Sequence, residues 1–285
     1  MKKIILFFFA VMAMSCTKAQ NTGEPFPVTV GNYTVYLLSE GQREGNTGIL
    51  IGATPEMIAK AIPDKTYPSA TNAFLVRMPG KNILIDTGLG NRLFSLLESL
   101  GVNADEIDAV LITHTHGDHT GGLMKEGKLM FPNAKLYVSQ QEYDYWVNAN
   151  NQQAANLLNA CKDQLIVFTP NELEDITSPL LPGIFPIAAY GHTPGHTVFL
   201  IQSEKDRLLI WGDLTHAMAI QMPYPQVAVS YDTDPEEAVR SREALLKYVS
   251  ENRIPIGGMH IAYPGIGMVQ PDNETGYVFT PLATE

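Results

Sequence analysis

Cysteine is almost missing from this chain: there are two in 285 residues, Cys16 and Cys161. With Cys16 inside or at the end of an N-terminal export segment, a single thiol remains in the folded part, so a disulfide-stapled fold is excluded. Cys161 then reads as a small buried hydrophobe. A long apolar run is also lacking. The longest, Ile4 to Met14, has 11 residues, well short of the roughly 20 that a bilayer-spanning helix needs. Positive charge is scarce, with 19 Lys and Arg against 30 Asp and Glu and a formal net charge of −11. No basic cluster offsets it locally, and so acidic a surface repels phosphate backbones, which argues against nucleic acid as a partner. From about Pro27 to Phe279 there is no low-complexity linker, no long charge block and no repeat. One domain is expected.

Lys2 and Lys3 ahead of the apolar run, which ends in "MSCTKAQ", form the pattern of an export signal. Two cleavage routes compete. Ala13-Met14-Ser15-Cys16 resembles a lipobox and would leave Cys16 lipidated, although Ala13 stands where leucine is usual; Thr17-Lys18-Ala19 before Gln20 resembles an ordinary cleavage site. The lipoprotein route is favoured. Residues 1–19 are thus read as the signal and 20–285 as one domain, periplasmic or held at the outer membrane through Cys16, its only expected membrane contact.

Short strand-like runs recur at 34–38, 73–78, 82–88, 109–114, 135–139, 165–168, 185–190, 197–202 and 207–213. Helical patterns fall at about 91–100, 140–160 and 235–251, the last opened by Asp234 as N-cap and Pro235 at its first position. Strands in the majority with interspersed helices imply a layered α/β architecture.

The stretch "THTHGDHTGG" (113–122) begins where the buried-looking strand "VLI" stops. In extended chain His114 and His116 project to one side, and Gly117 permits a turn that returns Asp118 and His119 to the same space. Imidazole and carboxylate suit zinc and related divalent ions, while the lack of nearby cysteine argues against a closed structural zinc site. The other four histidines also fall near apolar runs: His192 and His196 in "GHTPGHT", His216 just after Asp213 in "WGDLTH", His260 at the end of "IPIGGMH". Polar residues at strand ends are where α/β sheets build open sites.

His114-Thr-His116-Gly-Asp118-His119, followed in order by His196, Asp213 and His260, resembles the ligand pattern of the metallo-β-lactamase superfamily. The resemblance implies a four-layer αββα sandwich with two divalent metal ions, zinc being the expected one. Carried over, His114, His116 and His196 hold the first ion, Asp118, His119 and His260 the second, and Asp213 bridges them. Asp86 in "LIDTG" matches an aspartate that orients a histidine ligand through its other ring proton. By the same pattern His192 is expected to be structural. Asp213 differs from true β-lactamases, which generally have cysteine or another residue there. His116 differs from the glutamate of flavodiiron proteins, and the C-terminal region does not resemble that of glyoxalase II-type enzymes. "ATNAFLV", "GHTPGHT", "WGDLTHAMAIQMPYPQVAVSYDTDPEEA" and "GGMHIAYPGIG" resemble the methyl parathion hydrolase and lactonase-like branch.

What this implies is hydrolysis of a small-molecule lactone, carboxylic ester or phosphotriester by a hydroxide bridging two ions. Asp118 would carry a proton, and His216, standing where many acyl-homoserine lactonases have tyrosine, would polarise the substrate or protonate the leaving group. Phe74, Trp146 and Met222, with Tyr143, Met218 and Tyr224, are candidate walls of an apolar substrate pocket, and residues 41–70 a candidate lid. Two other functions stay open: β-lactam hydrolysis, and a lipoprotein that binds metal or ligand without turnover. A homodimer also stays open.

Overall fold

The structure is a computed structural model that describes residues 23–148, 152–272, 274 and 276–283. The export signal, both cleavage sites and Cys16 lie outside the described residues.

Seven strands form the first sheet: β1 (Phe26–Val30), β2 (Tyr33–Asn46), β4 (Thr66–Met78), β5 (Lys81–Ile85), β6 (Ala109–Leu111), β9 (Lys135–Ser139) and β10 (Leu165–Phe168), in that spatial order. Six form the second: β11 (Ile184–Ala188), β12 (Thr197–Ser203), β13 (Asp206–Ile210), β15 (Ile256–Gly257), β16 (Ile266–Pro271) and β17 (Tyr277–Pro281). Two small pairs, β3 (Leu50–Ile51) with β14 (Ala228–Val229) and β7 (Met124–Lys125) with β8 (Lys128–Leu129), complete the strands. The helices are α1 (Pro55–Ala61), α2 (Leu93–Ser99), α3 (Gly117–Thr120), α4 (Gln140–Asn148), α5 (Gln152–Ala160), α6 (Met218–Gln221) and α7 (Pro235–Asn252).

Period-two alternation sorts the side chains into layers. Ile83 and Ile85 of β5 face Leu208 and Ile210 of β13 in the core between the sheets. Leu84, between them, packs outward with Leu93, Leu96 and Leu97 of α2. On the far side Leu209 and Trp211 pack with Leu245, Leu246 and Val249 of α7. Both sheets are therefore covered by helices on their outer faces, which gives the expected αββα sandwich. Cys161 is buried in the first outer layer, and burial pushes its thiol up to about 11.

The helix expected over 140–160 is two helices, α4 and α5. Helix α7 starts as expected: the Asp234 side chain accepts from Glu237 N, and Pro235 holds the first position. The largest departure is in β2 and β4, which run far beyond the expected 34–38 and 73–78. They pair antiparallel out to Asn46 opposite Thr66, with a register shift between Ser39 and Gly41. Residues 42–44 of this extension are exposed. Strand pairing rather than burial holds them, so no hydrophobic alternation marks them. The candidate lid at 41–70 is thus largely a paired β-ribbon carrying α1, whose flank packs through Ile62 and Tyr67 onto Ala217, Ile220 and Val227.

Candidate metal centre

Strand ends deliver the site. β6 stops at Leu111, and Thr113 to His119 run across the sheet edge. At the end of β5, Asp86 adopts a left-handed conformation (φ 57°), uncommon for a residue with a side chain. Its carboxylate accepts from Thr113 N (2.8 Å) and Thr113 Oγ1 (2.7 Å), and from the His119 ring at Nδ1 (2.6 Å). In the second sheet, Gly212 (φ 55°) turns the chain after β13, and a side chain there would strike the His196 ring. Asp213 is thereby aimed inward.

The first group gathers His114, His116, His192 and Asp213. His114 Nε2, His116 Nδ1 and His192 Nε2 lie 3.0, 3.1 and 3.2 Å from one another, with Asp213 Oδ2 3.3 Å from His192 and 3.7 Å from His114. The opposite nitrogens fix which atoms are bare. His192 Nδ1 donates to Asp232 Oδ1 (2.9 Å), and His114 Nδ1 to Thr113 Oγ1 (3.1 Å), whose own proton goes to Asp86. His114 and His192 can therefore turn lone pairs toward one point, which His116 Nδ1 also faces. Tetrahedral ligands about 2.0–2.1 Å from a zinc ion would stand about 3.3–3.4 Å apart, close to these spacings, so the group could hold a cation with small shifts of the rings.

The second group is Asp118, His119 and His260. His260 Nδ1 faces Ala70 O (2.9 Å), which leaves Nε2 directed at Asp213 Oδ2 (3.1 Å) and Asp118 Oδ2 (3.5 Å). His119 Nε2 faces Asp213 Oδ1 at 3.2 Å; both atoms are buried, and neither has a hydrogen-bond partner. Such orphaned pairs are expensive without a cation between them. Asp213 touches both groups.

Electrostatics separate two sets of imidazoles. Burial penalises a charge on His114, His116, His196 and His216, pushing His116 and His216 down to about 4 and His196 to about 3. Neutral imidazole is the metal-binding form. Burial also opposes charge on Asp213, yet the surrounding His119, His260, His216 and His114 hold it well below the usual carboxylate range. For His119 burial is outweighed by Asp213 and Asp86, and for His192 by hydrogen bonds to Asp213 and Asp232, which raise it to about 9.

The family model of the metallo-beta-lactamase superfamily matches residues 66–253, more than half of the chain. The chain belongs to the metallo-beta-lactamase superfamily. It is 25% identical over 189 residues to the uncharacterized protein YobT of Bacillus subtilis, covering 61% of this chain and 77% of that one. To the anti-Pycsar protein Apyc1 of Saccharibacillus brassicae it is 48% identical over 56 residues, 20% of this chain, and so spans about a fifth (22%) of that relative's length. Among solved structures, AidC, a dizinc quorum-quenching lactonase in complex with a product, superposes with a TM-score of 0.83 at 26% identity, over 92% of this chain and 98% of that one. The hydrolase AbOPH superposes with a TM-score of 0.81 at 24% identity, over 93% and 100%.

Within this metallo-beta-lactamase fold one expected assignment is corrected. His196 is not among the converging nitrogens. Its Nδ1 donates to Ala189 O (2.8 Å) and its Nε2 accepts from Asp213 N (3.0 Å), so both ring nitrogens are consumed by backbone. His192, expected to be structural, occupies the position expected of His196. His216 lies at the cleft with Nε2 3.0 Å from Asp213 Oδ2 and Nδ1 unpartnered.

The substrate residues are also revised. Phe74 is fully buried between the sheets, and Met222 packs with Trp211 and Leu214 in the layer under α7; neither lines a cleft. Over the metal groups opens a cleft of about 520 Å³ lined by Arg43, Asn46, Tyr67, Tyr231, Asp118 and His216, among others. Trp146 instead edges a second hollow, of about 600 Å³, beyond His116 and Gly117.

Four supporting residues were missed in the sequence. Asp232 orients His192. Asn72 donates through Nδ2 to Gly258 O (3.0 Å) and Ile261 O (2.8 Å), bracing the turn that carries His260. Arg242 donates to Leu214 O, Pro225 O and Val227 O, tying down the segment after Asp213. Glu142 accepts from Thr115 N and Gly195 N, on the loops to either side of the first group. Asn72, Arg242 and Glu142 are charged or amide side chains in otherwise ordinary helices or strands and Asp232 lies in the loop before α7; burial is what distinguishes them.

Proposed function

We propose that the protein is a two-metal hydrolase of small ester-type substrates, lactones first among them, with zinc as the expected ion. His114, His116 and His192 would hold one ion, Asp118, His119 and His260 the other, and Asp213 would lie between them. The observation that carries this is the double convergence of bare imidazole nitrogens on one shared, buried carboxylate beside an open cleft. The likeness to a dizinc lactonase across 92% of the chain supports the lactone reading. When bound, two divalent ions would supply a water acidic enough to attack at neutral pH and draw charge from the scissile group.

The chain's own residues do the rest. Asp118, 28% exposed where its partners are buried, is the carboxylate that can take a proton from the attacking water and return it to the leaving oxygen. His216 is held neutral by burial and donates Nε2–H to Asp213, which keeps that carboxylate ionised and oriented. Tyr67 and Tyr231 narrow the cleft above it. Export to the periplasm or outer membrane, as read from residues 1–19, would place this activity outside the cytoplasm.

The test is a substrate panel on the signal-free protein: acyl-homoserine lactones, simpler lactones, aryl esters, a phosphotriester and a chromogenic β-lactam. Lactone, aryl-ester or phosphotriester turnover that disappears on chelation and returns on adding zinc is expected. Turnover of the β-lactam alone, or turnover indifferent to chelation, would overturn the proposal.

A further inference from the structure

We infer that Glu142 sets the geometry of the first group of ligands by holding in one carboxylate the two loops that carry them. The inference rests on the metal-dependent reading above.

Glu142 lies in the first turn of α4 and is 1% exposed. Oε1 accepts from Thr115 N (2.7 Å), Thr115 Oγ1 (3.0 Å) and Trp146 Nε1 (2.6 Å); Oε2 accepts from Thr193 Oγ1 (2.6 Å) and Gly195 N (3.2 Å). Thr115 stands between His114 and His116. Thr193 directly follows His192. These loops come from different sheets, one after β6 and the other between β11 and β12. One backbone bond, Thr197 N to Thr113 O (2.9 Å), joins them at the strand root; Glu142 joins them beside the ligands.

All five partners donate, so the position calls for a group that only accepts. Glutamine would turn its NH₂ either toward Thr115 N and Trp146 Nε1 or toward Gly195 N, and although the threonine hydroxyls can rotate to accept, these N–H donors cannot. Packing leaves little slack, because a side chain at Gly195 would collide with Glu142, and Ser139 Oγ donates to Gly195 O (2.7 Å) while accepting from Glu142 N (3.2 Å). The second group is anchored elsewhere, by Asp86, Ala70 O and Asn72, none of which bonds to Glu142. Loosening the clamp should therefore affect one ion and not the other. A residue that merely stabilised the fold would affect both equally.

Glu142→Gln and Glu142→Asp would be compared with the parent and with Asp144→Ala on the exposed face of the same helix. After dialysis against a moderate chelator, bound zinc per chain, the visible spectrum of cobalt-loaded protein and the Tm of the metal-free form would be measured. The parent and Asp144→Ala should keep two ions. Glu142→Gln should keep about one, with affinity for the other lowered roughly 10–100-fold, and Glu142→Asp should fall between. Two ions held by Glu142→Gln at parental affinity would overturn the inference, as would loss of both ions in step with Tm in both variants. A parent protein that binds no metal would instead overturn the proposed function, and the inference with it.

Discussion

Asp213→Ala is expected to remove hydrolysis almost entirely, lowering kcat/KM at least about 1000-fold, or ~4 kcal/mol at 1.36 kcal/mol per tenfold. Asp213 belongs to the first ligand group and reaches into the second, with Oδ1 3.2 Å from His119 Nε2 and Oδ2 3.1 Å from His260 Nε2 and 3.3 Å from His192 Nε2. Without it, Asp118 is the carboxylate left in the cluster, at the second group, and no negative charge lies between the two groups to hold two cations together. Asp213→Asn keeps the shape and one acceptor oxygen but loses the charge, and should fall nearly as far. Kinetics on a responsive substrate, with metal content on the same sample, provide the check. Either variant within tenfold of the parent would contradict the shared-carboxylate role.

The second large effect separates the two histidines of "GHTPGHT". His192→Ala should lower turnover at least about 100-fold through loss of the first ion; His192 is buried and donates to Asp232 Oδ1, so the Tm of the metal-free protein falls as well, and metal content is what separates the two variants. His196→Ala should keep both ions and lose stability. It strands Ala189 O and Asp213 N in the interior, at about 1–3 kcal/mol for each unsatisfied group, and it leaves a cavity. A loss of about 3 kcal/mol corresponds to roughly 6–12 °C in Tm for a domain of this size. The folded fraction should still bind metal. Calorimetry and metal analysis on both variants would show the pattern, and the opposite assignment would appear as its inversion.

That pair also shows what sequence patterns can and cannot carry. The αββα layers were expected from the resemblance in the ligand pattern and not from periodicity, because "RLLIW" is apolar on both faces and only folding separates Leu208 and Ile210 from Leu209 and Trp211; the start of α7 was legible because Asp234-Pro235 is a chemical signal. The cluster His114 to His119 was legible because few other needs put so many ligands in six positions. Choosing between His192 and His196 needs the direction of each ring. The available clue was position: His196 abuts the wholly buried start of β12, where backbone partners are close, whereas His192 lies farther out in the loop. Glu142 was illegible because its five donors come from Thr115, Trp146, Thr193 and Gly195, which only folding brings together. The outer half of β2 was missed because "GQREGN" has no buried face, and that half supplies Arg43 and Asn46 to the cleft. Phe74 and Met222 were misread because apolar bulk near a ligand in sequence does not distinguish a pocket wall from core.

The most direct measurement is anomalous diffraction at the zinc edge from crystals of the signal-free protein. Two peaks are predicted on either side of Asp213, one of them about 2.0–2.1 Å from the ring nitrogens of His114, His116 and His192, with none within bonding distance of His196. A peak bonded to His196, or no peak beside Asp213 in zinc-saturated crystals, would contradict the two-metal centre described here.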